Sequence, residues 1–314
     1  MIKLRALLLF LFLIITGIQY TDAQVIVIPD DPIDSVTYQP LPKSLLWKIS
    51  GNGIKSPSFL FGTMHIIPKK DYVWTAAAQK AFDVAKQVAF EIDMNEMKDM
   101  SLMMSLLQKS FLPDSITLKS LMTEQEYKKL ELYFEKIGLP LAMFERMKPV
   151  YLSTIILEGQ GALTQESTDD VTSSYEMDLL LKANDAHKKV LGLETIDFQL
   201  TLLDSIPYKE QAKMLLESID QESNHDKFSM DGLIKLYVAQ DIEALHEAVK
   251  STDSSMSNFE KPLLIDRNKK WISTIESIIA ESPTFIAVGA GHLGGNEGVI
   301  QLLKQKGYQL TPLY

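Results

Sequence analysis

The chain contains no cysteine. That excludes disulfides, zinc–thiolate and iron–sulfur centres, a cysteine nucleophile and a lipid-modified N-terminal cysteine, so any metal must be held by His, Asp, Glu, Asn or backbone oxygen. Histidine is scarce, with five in 314 residues, which leaves few imidazoles from which to build a site. Basic charge is in deficit: 31 Lys and Arg against 41 Asp and Glu give a net charge of −10. Nucleic-acid binding needs a basic face, and this composition speaks against it. Glycine (15) and proline (13) are too few for a collagen-like or low-complexity chain. No uncharged apolar run approaches the roughly 20 residues that span a bilayer. What remains is ordinary globular usage, 46% hydrophobic, in a chain long enough to bury about three quarters of its unfolded surface.

Residues 1–23 read as a secretory signal. Lys3 and Arg5 form a basic n-region, Ala6–Ile18 is apolar, and Thr21-Asp22-Ala23 places a small residue before Gln24. The expectation is a cleaved signal, a periplasmic or secreted product and no stable membrane span. Residues 24–43, with Pro29, Pro32, Pro40 and Pro42 among several Asp, read as a flexible leader ahead of a single domain over 44–314.

Within that domain, Leu45–Ser50 and Ser58–Ile66 have strand character, with Gly51-Asn52-Gly53 as turn chemistry between them. Thr75–Lys86 has helical spacing and Gln87–Met94 reads as a buried strand. Thr123 and Glu126 form a capping box for a helix ended by Gly138 and Pro140. Helices are expected over Pro149–Leu163, Tyr175–His187 and most of Tyr208–Glu281, where Asp241 is an N-cap and Ser251–Ser257 a break. A strand at Lys189–Leu193 interrupts them. The chain closes as strand Thr284–Gly289, helix Asn296–Lys306 and strand Tyr308–Leu313. Strands at both ends around a helical middle predict an α+β fold with a mixed sheet.

The two ends share a plan. Ser58-Phe-Leu-Phe-Gly62-Thr-Met-His65 and Thr284-Phe-Ile-Ala-Val-Gly289-Ala-Gly-His292 each run an apolar strand into a Gly with a His three residues on. Strand carboxyl ends open into ligand-binding crevices, and glycine there permits a sharp turn and close backbone approach. An imidazole at that rim can ligate a metal, act as a base, or simply satisfy backbone groups. In Val88-Ala-Phe-Glu91-Ile-Asp93, acids interrupt a core strand, and the two-residue period puts both on one face. Burying a carboxylate is costly unless it is paired or metal-bound; the alternative is that they cap the next helix. Two His and a carboxylate suit Zn, Mn, Fe or Co with a position open for water. Glu194 ends a strand and either faces the same rim or caps. Arg267-Asn268 sits in an apolar helical context, so Arg267 either points inward at an anion or carboxylate or is a solvated or ion-paired residue. Glu176 and Asp178 open a helix, where dipole compensation accounts for them. His187, His225 and His246 read as surface residues, and Gly294-Gly295-Asn296 offers amides to an anion.

These motifs resemble the TraB/GumN (TIKI-like) family: Phe59-Leu-Phe-Gly-Thr-Met-His-Ile, Phe90-Glu91-Ile-Asp, Val190-Leu-Gly-Leu-Glu-Thr with Gln199, Leu264-Ile-Asp-Arg-Asn-Lys-Lys-Trp271 and Val288-Gly-Ala-Gly-His-Leu-Gly-Gly-Asn-Glu-Gly-Val299, in order over about residues 45–314. One departure is Glu176, where the family often has Gly ahead of the acid matched by Asp178. The resemblance implies a mixed central sheet from two similar βα halves, a large helical middle region, and one Gly-x-x-His from each half facing a cleft. It also implies metal-dependent proteolysis in which His65, His292 and Glu91 are essential and Arg267 and Asn268 lend support. The expected function is an exported hydrolase of peptides or small molecules using a Mn-, Co- or Zn-activated water. In it His65, His292 and Glu91 hold the metal or move protons, and Arg267 stabilises an oxyanion or substrate carboxylate. Gly62, Asp93, Asp178, Glu194, Asn268 and Gly289 support them. The rivals are a protein that sequesters a peptide, haem or metal without turnover, and a metal-independent esterase.

Overall fold

The computed structural model describes residues 38–153, 172–221, 230–251 and 261–314. Segments apolar on both faces form the centre of the sheet, as expected of parallel strands covered on each side. Strands β1 (Leu46–Gly51), β2 (Ser58–Thr63), β4 (Gln87–Ile92), β6 (Lys189–Glu194), β7 (Thr284–Gly289) and β8 (Tyr308–Leu313) make a six-stranded sheet in the order β6-β4-β7-β2-β1-β8. Every residue of β2 and β4 is buried, whereas β1 and β8 are only partly buried and lie toward one edge. The first four strands in that order are parallel, with Gly62 opposite Val288, Thr63 opposite Gly289, and Ile92 opposite Glu194. β1 joins β2 and β8 antiparallel. The sheet is therefore mixed and the fold α+β. A two-stranded ladder pairs β3 (Ile67–Pro68) with β5 (Thr172–Ser173).

The β1–β2 hairpin turns through Gly51, Asn52 and Gly53, all at positive φ. Helix α1 (Ala76–Val84) begins where the Thr75 side chain accepts from the Ala78 amide, and it packs Phe82 edge-on against Phe285 of β7. Phe61 and Trp74 complete that aromatic cluster. Among the described residues the elements between β4 and β7 are helical apart from β5 and β6. They are α2 (Met100–Lys109), α3 (Leu118–Leu121), α4 (Glu124–Lys136), α5 (Tyr175–Asp185), α6 (Ile196–Asp204), α7 (Tyr208–Gln221), α8 (Met230–Val238), α9 (Ile242–Ser251) and α10 (Asp266–Glu281). The capping box at Thr123 and Glu126 is formed, Gly138 follows α4 at φ +73°, and Asp241 caps α9 through the Ala244 amide.

The last helix, α11 (Val299–Gln305), starts three residues later than the sequence predicts. Residues ahead of it form a close-packed turn, and the Gly295 amide donates to Glu243 Oε1 at 3.3 Å. The anion expected at that turn is thus the chain's own carboxylate. Residues 38–43, the end of the expected leader, dock onto the same place. Tyr38 and the Leu41 amide both donate to Glu243, and Lys43 pairs with Asp241 at 2.9 Å. The expected signal over 1–23, the leader as far as residue 37, His225, and most of the Ser251–Ser257 break lie outside the described residues. So does the helix predicted over 149–163, beyond the helical residues 149–153. Among the described residues no helix is long and apolar enough to cross a membrane.

Candidate active site

Four parallel strands end at one edge of the sheet, and that edge gathers residues from across the chain. β2 delivers Thr63 and His65, β4 Glu91, β6 Glu194, and β7 the Gly289–His292 turn. The first two turns of α10 bring Arg267, Asn268 and Trp271 against them, because these positions share its buried stripe.

Arg267 is the hub. Its guanidinium is 3% exposed and lies between Glu91 (9%) and Glu194 (1%). Nη2 donates to Glu91 Oε2 at 2.5 Å and to Glu194 Oε1 at 2.6 Å, and Nε donates to Glu194 Oε1 at 3.0 Å. Nη1 faces the Leu263 carbonyl and His292 Nε2, each at 3.3 Å. A guanidinium has five N–H bonds, and all five are directed within the protein. Through these contacts Arg267 neutralises and fixes two buried acids, and one Nη1–H lies against the Nε2 lone pair of His292. Glu194 also accepts from Gln199 at 2.7 Å and from the Trp271 indole at 2.9 Å.

Glu91 Oε1 accepts from the Gly289 amide at 2.9 Å and stands 3.9 Å from His292 Nε2. Burial alone would raise its pKa, but Arg267, then His292 and His65, outweigh burial and hold it well below the usual carboxylate range. His292 is oriented by Asn268, whose Oδ1 takes Nδ1–H at 2.6 Å while its Nδ2 donates to the Glu297 carbonyl. Burial, with the Arg267 charge beside it, pushes the imidazole down to about 3 despite Glu91. His292 is therefore neutral, with its lone pair on Nε2.

His65 is a different histidine. Its Nδ1 lies 3.0 Å from Glu176 Oε1, and 23% of its side chain is exposed. Burial opposes its charge, but Glu176 overrides burial and lifts it to about 9. Its place in the first turn of a helix predicts dipole compensation for Glu176. Instead it is buried, takes a 2.6 Å hydrogen bond from Thr63 Oγ1 and accepts from Ser174. Its signal was periodicity: Glu176 falls on the same stripe as the buried Leu179, Leu180 and Ala183. His246 likewise shares a stripe with buried Ile242 and Leu245. It is buried, not superficial, and its Nδ1 faces the Gly291 carbonyl at 3.0 Å, bracing the turn that carries His292.

Other expected supporting residues take local roles. Asp93 lies past the end of β4 and caps the next turn through the Asn95 amide, so it does not share the site with Glu91. Asp178 accepts from Ser173 at 2.8 Å, one turn beyond Glu176. Gly62 and Gly289 serve close approach, not a sharp turn. A Cβ on Gly62 would stand 3.1 Å from the Ala290 backbone, and one on Gly289 would stand 3.3 Å from Glu91 Oε1.

The donor chemistry suits a divalent ion. Asn268 Oδ1 takes the Nδ1–H of His292, as the partner of a metal-bound histidine does, leaving Nε2 as the donor; His65 Nδ1 stands 3.0 Å from Glu176 Oε1, and its Nε2 would exchange a proton for a metal. Glu91 Oε1 retains one lone pair. The 3.9 Å between that oxygen and His292 Nε2 is wider than the ~3.3 Å that tetrahedral bonds of about 2 Å would set. Among the described residues no group of three His, Asp or Glu is already arranged to hold a metal.

The profile of the TraB/PrgY/gumN family matches residues 45–312, and the chain belongs to that family. It is 22% identical over 320 residues to Metalloprotease TIKI2 of Danio rerio, an alignment covering 85% of this chain and 60% of that protein. It is 23% identical to Metalloprotease TIKI1 of the same fish (85% and 62%) and 22% identical to the Metalloprotease TIKI homolog of Nematostella vectensis (90% and 69%). The chain thus spans about 60% of the length of the first two relatives. No solved structure matches it.

Proposed function

We propose that this chain is an exported, metal-dependent hydrolase of peptide bonds, with its site at His65, Glu91 and His292. The observation that carries the reading is convergence. Two Gly-x-x-His elements more than 200 residues apart end on adjacent parallel strands, and a buried carboxylate from the next strand stands 3.9 Å from the second histidine and pairs with Arg267. The names of the relatives supply the reaction class.

The residues divide the work according to their surroundings. His292 Nε2 is a neutral lone pair in a buried position, suited to holding a metal. Glu91, ionised and anchored through Oε2 by Arg267, presents Oε1 as an anionic ligand, and its low proton affinity suits it better to that than to the role of base. His65 is the partly exposed member, where a proton can exchange with solvent, and Glu176 behind it holds the compensating charge. A divalent Mn, Co or Zn ion bound there would acidify a water and so supply a nucleophile at neutral pH. Arg267 and Glu194 keep this assembly fixed without touching substrate.

The test is cleavage of a peptide library, followed by mass spectrometry, with Mn, Co or Zn and with chelator. Activity that needs metal and disappears in His65→Ala, His292→Ala and Glu91→Gln supports the proposal. Stoichiometric capture without product would establish the sequestering alternative, and chelator-resistant cleavage of small esters the esterase one.

A further inference from the structure

We infer that Glu176 is the positioning residue of the site: it fixes the imidazole of His65 with Nδ1 turned inward, so that Nε2 is the nitrogen that gives up its proton to a metal. This rests on the metal-dependent reading above, and the experiment below separates the failure of one from the failure of the other.

The geometry is specific. Glu176 is at the start of α5, yet its carboxylate is 4% exposed and turns to the end of β2. One oxygen serves both Thr63 Oγ1, at 2.6 Å, and His65 Nδ1, at 3.0 Å. The other accepts from Ser174 Oγ at 3.1 Å. Thr63 and His65 flank a single residue of the strand end, so the carboxylate spans the turn that carries the histidine.

Two further features hold the helix start against that turn. The β3–β5 ladder pairs Ile67 with Ser173, two residues after His65 and three before Glu176. Beyond it, Tyr72 stacks on Tyr175 with centroids 4.1 Å apart, and the Tyr175 hydroxyl donates to the Val73 carbonyl at 2.9 Å. Glu176 is thus placed by backbone pairing and packing on both sides, as a group must be if it is to orient another.

Helix-dipole compensation does not account for this placement, since a solvated acid in the first turn would serve as well. The parallel with His292 sharpens the assignment. There an acceptor on Nδ1 (Asn268 Oδ1) comes from a neighbouring helix start, and here Glu176 provides the same device from α5. The two halves of the site orient their imidazoles alike but with a neutral amide in one and a carboxylate in the other.

The experiment uses cobalt(II) as the probe, titrated into the metal-free protein and followed by its visible absorption. Proton NMR of the metal-free protein gives a second readout, the downfield imidazole proton expected where His65 Nδ1 faces Glu176 at 3.0 Å, assigned by its loss in His65→Ala. Glu176→Ala should weaken cobalt binding about 10- to 100-fold, as loss of an orienting partner does, and remove that proton signal. Glu176→Gln, which keeps an acceptor oxygen in place, should restore most of both. Glu176→Asp keeps the charge but withdraws it by one methylene, so it should behave like Glu176→Ala, and it decides the matter if the alanine variant does not fold. Wild-type cobalt affinity and an unchanged imidazole proton in Glu176→Asp or Glu176→Ala would overturn the inference. A wild-type protein that takes up no cobalt would overturn the metal reading instead, while the imidazole proton would still decide whether Glu176 orients His65.

Discussion

Replacing Arg267 with methionine removes the one cation between two buried acids. Glu91 and Glu194 are 9% and 1% exposed, and Arg267 supplies three of the hydrogen bonds that satisfy them, at 2.5 to 3.0 Å. Methionine fills similar space but leaves two carboxylates facing each other without a counter-ion. Breaking a buried ion pair from one side costs about 3–5 kcal/mol. With a urea dependence on the order of 2–3 kcal/mol per molar, the unfolding midpoint should fall by about 1–2 M at neutral pH. Two further outcomes separate electrostatics from packing. Adding Glu91→Gln and Glu194→Gln to Arg267→Met should recover much of the loss, because the stranded charges are gone. The pH dependence should also reverse. In the wild type Glu91 is held below its ordinary pKa, so its contribution is present above about pH 4.5 and is lost as pH falls through the depressed value. Without Arg267, burial raises Glu91 instead, and the variant should gain stability as pH falls from about 7 toward 5. A loss under about 1 kcal/mol, or a triple variant no more stable than Arg267→Met, would refute the picture of a charge-saturated hub.

Three other outcomes are expected. Gly62→Ala should cost about 1–3 kcal/mol in urea unfolding, because its Cβ would meet the Ala290 backbone at 3.1 Å and Leu293 at 3.2 Å; an unchanged midpoint would show that the strand end has room. Thr123→Ala, far from the sheet edge, should lose about 1 kcal/mol from the α4 cap and leave catalysis unaffected. His65 is raised to about 9 by Glu176, so its stabilising contribution is complete below its unfolded pKa of about 6.5 and is lost as pH rises through about 9. A urea midpoint that falls over that alkaline range in the wild type but not in His65→Asn would confirm the sign, and parallel profiles would remove it.

Much of the frame was legible because it rests on local periodicity. The fully apolar runs at Ser58–Thr63 and Gln87–Ile92 became central strands, and the Thr123 capping box and the Gly51-Asn52-Gly53 turn formed where their chemistry requires. The Gly-x-x-His pair and Glu91 stood out as polar groups at the ends of apolar strands, and Glu194 as an acid closing another. What the pattern hid were partnerships across long separations. Thr63 and Glu176 are 113 residues apart, and Arg267 and Glu91 176. From spacing alone a buried arginine looks the same whether it faces a substrate or two carboxylates. Asp93 shows the opposite failure: the two-residue period was carried one residue beyond the strand, where a cap took over. Spacing assigns Glu176 to helix-dipole compensation and His246 to the surface, though each lies on the buried stripe of its helix.

The central claim is that histidines from the two ends of the chain hold one metal ion between them. Metal content after loading with Zn, Co or Mn and exhaustive dialysis, measured by elemental mass spectrometry against protein concentration, tests it most directly. One ion per wild-type chain, lost in His65→Ala and in His292→Ala while Thr123→Ala retains it, is the expected result. Equal metal in the histidine variants and the wild type, or none in a wild-type preparation that cleaves peptides, would contradict it.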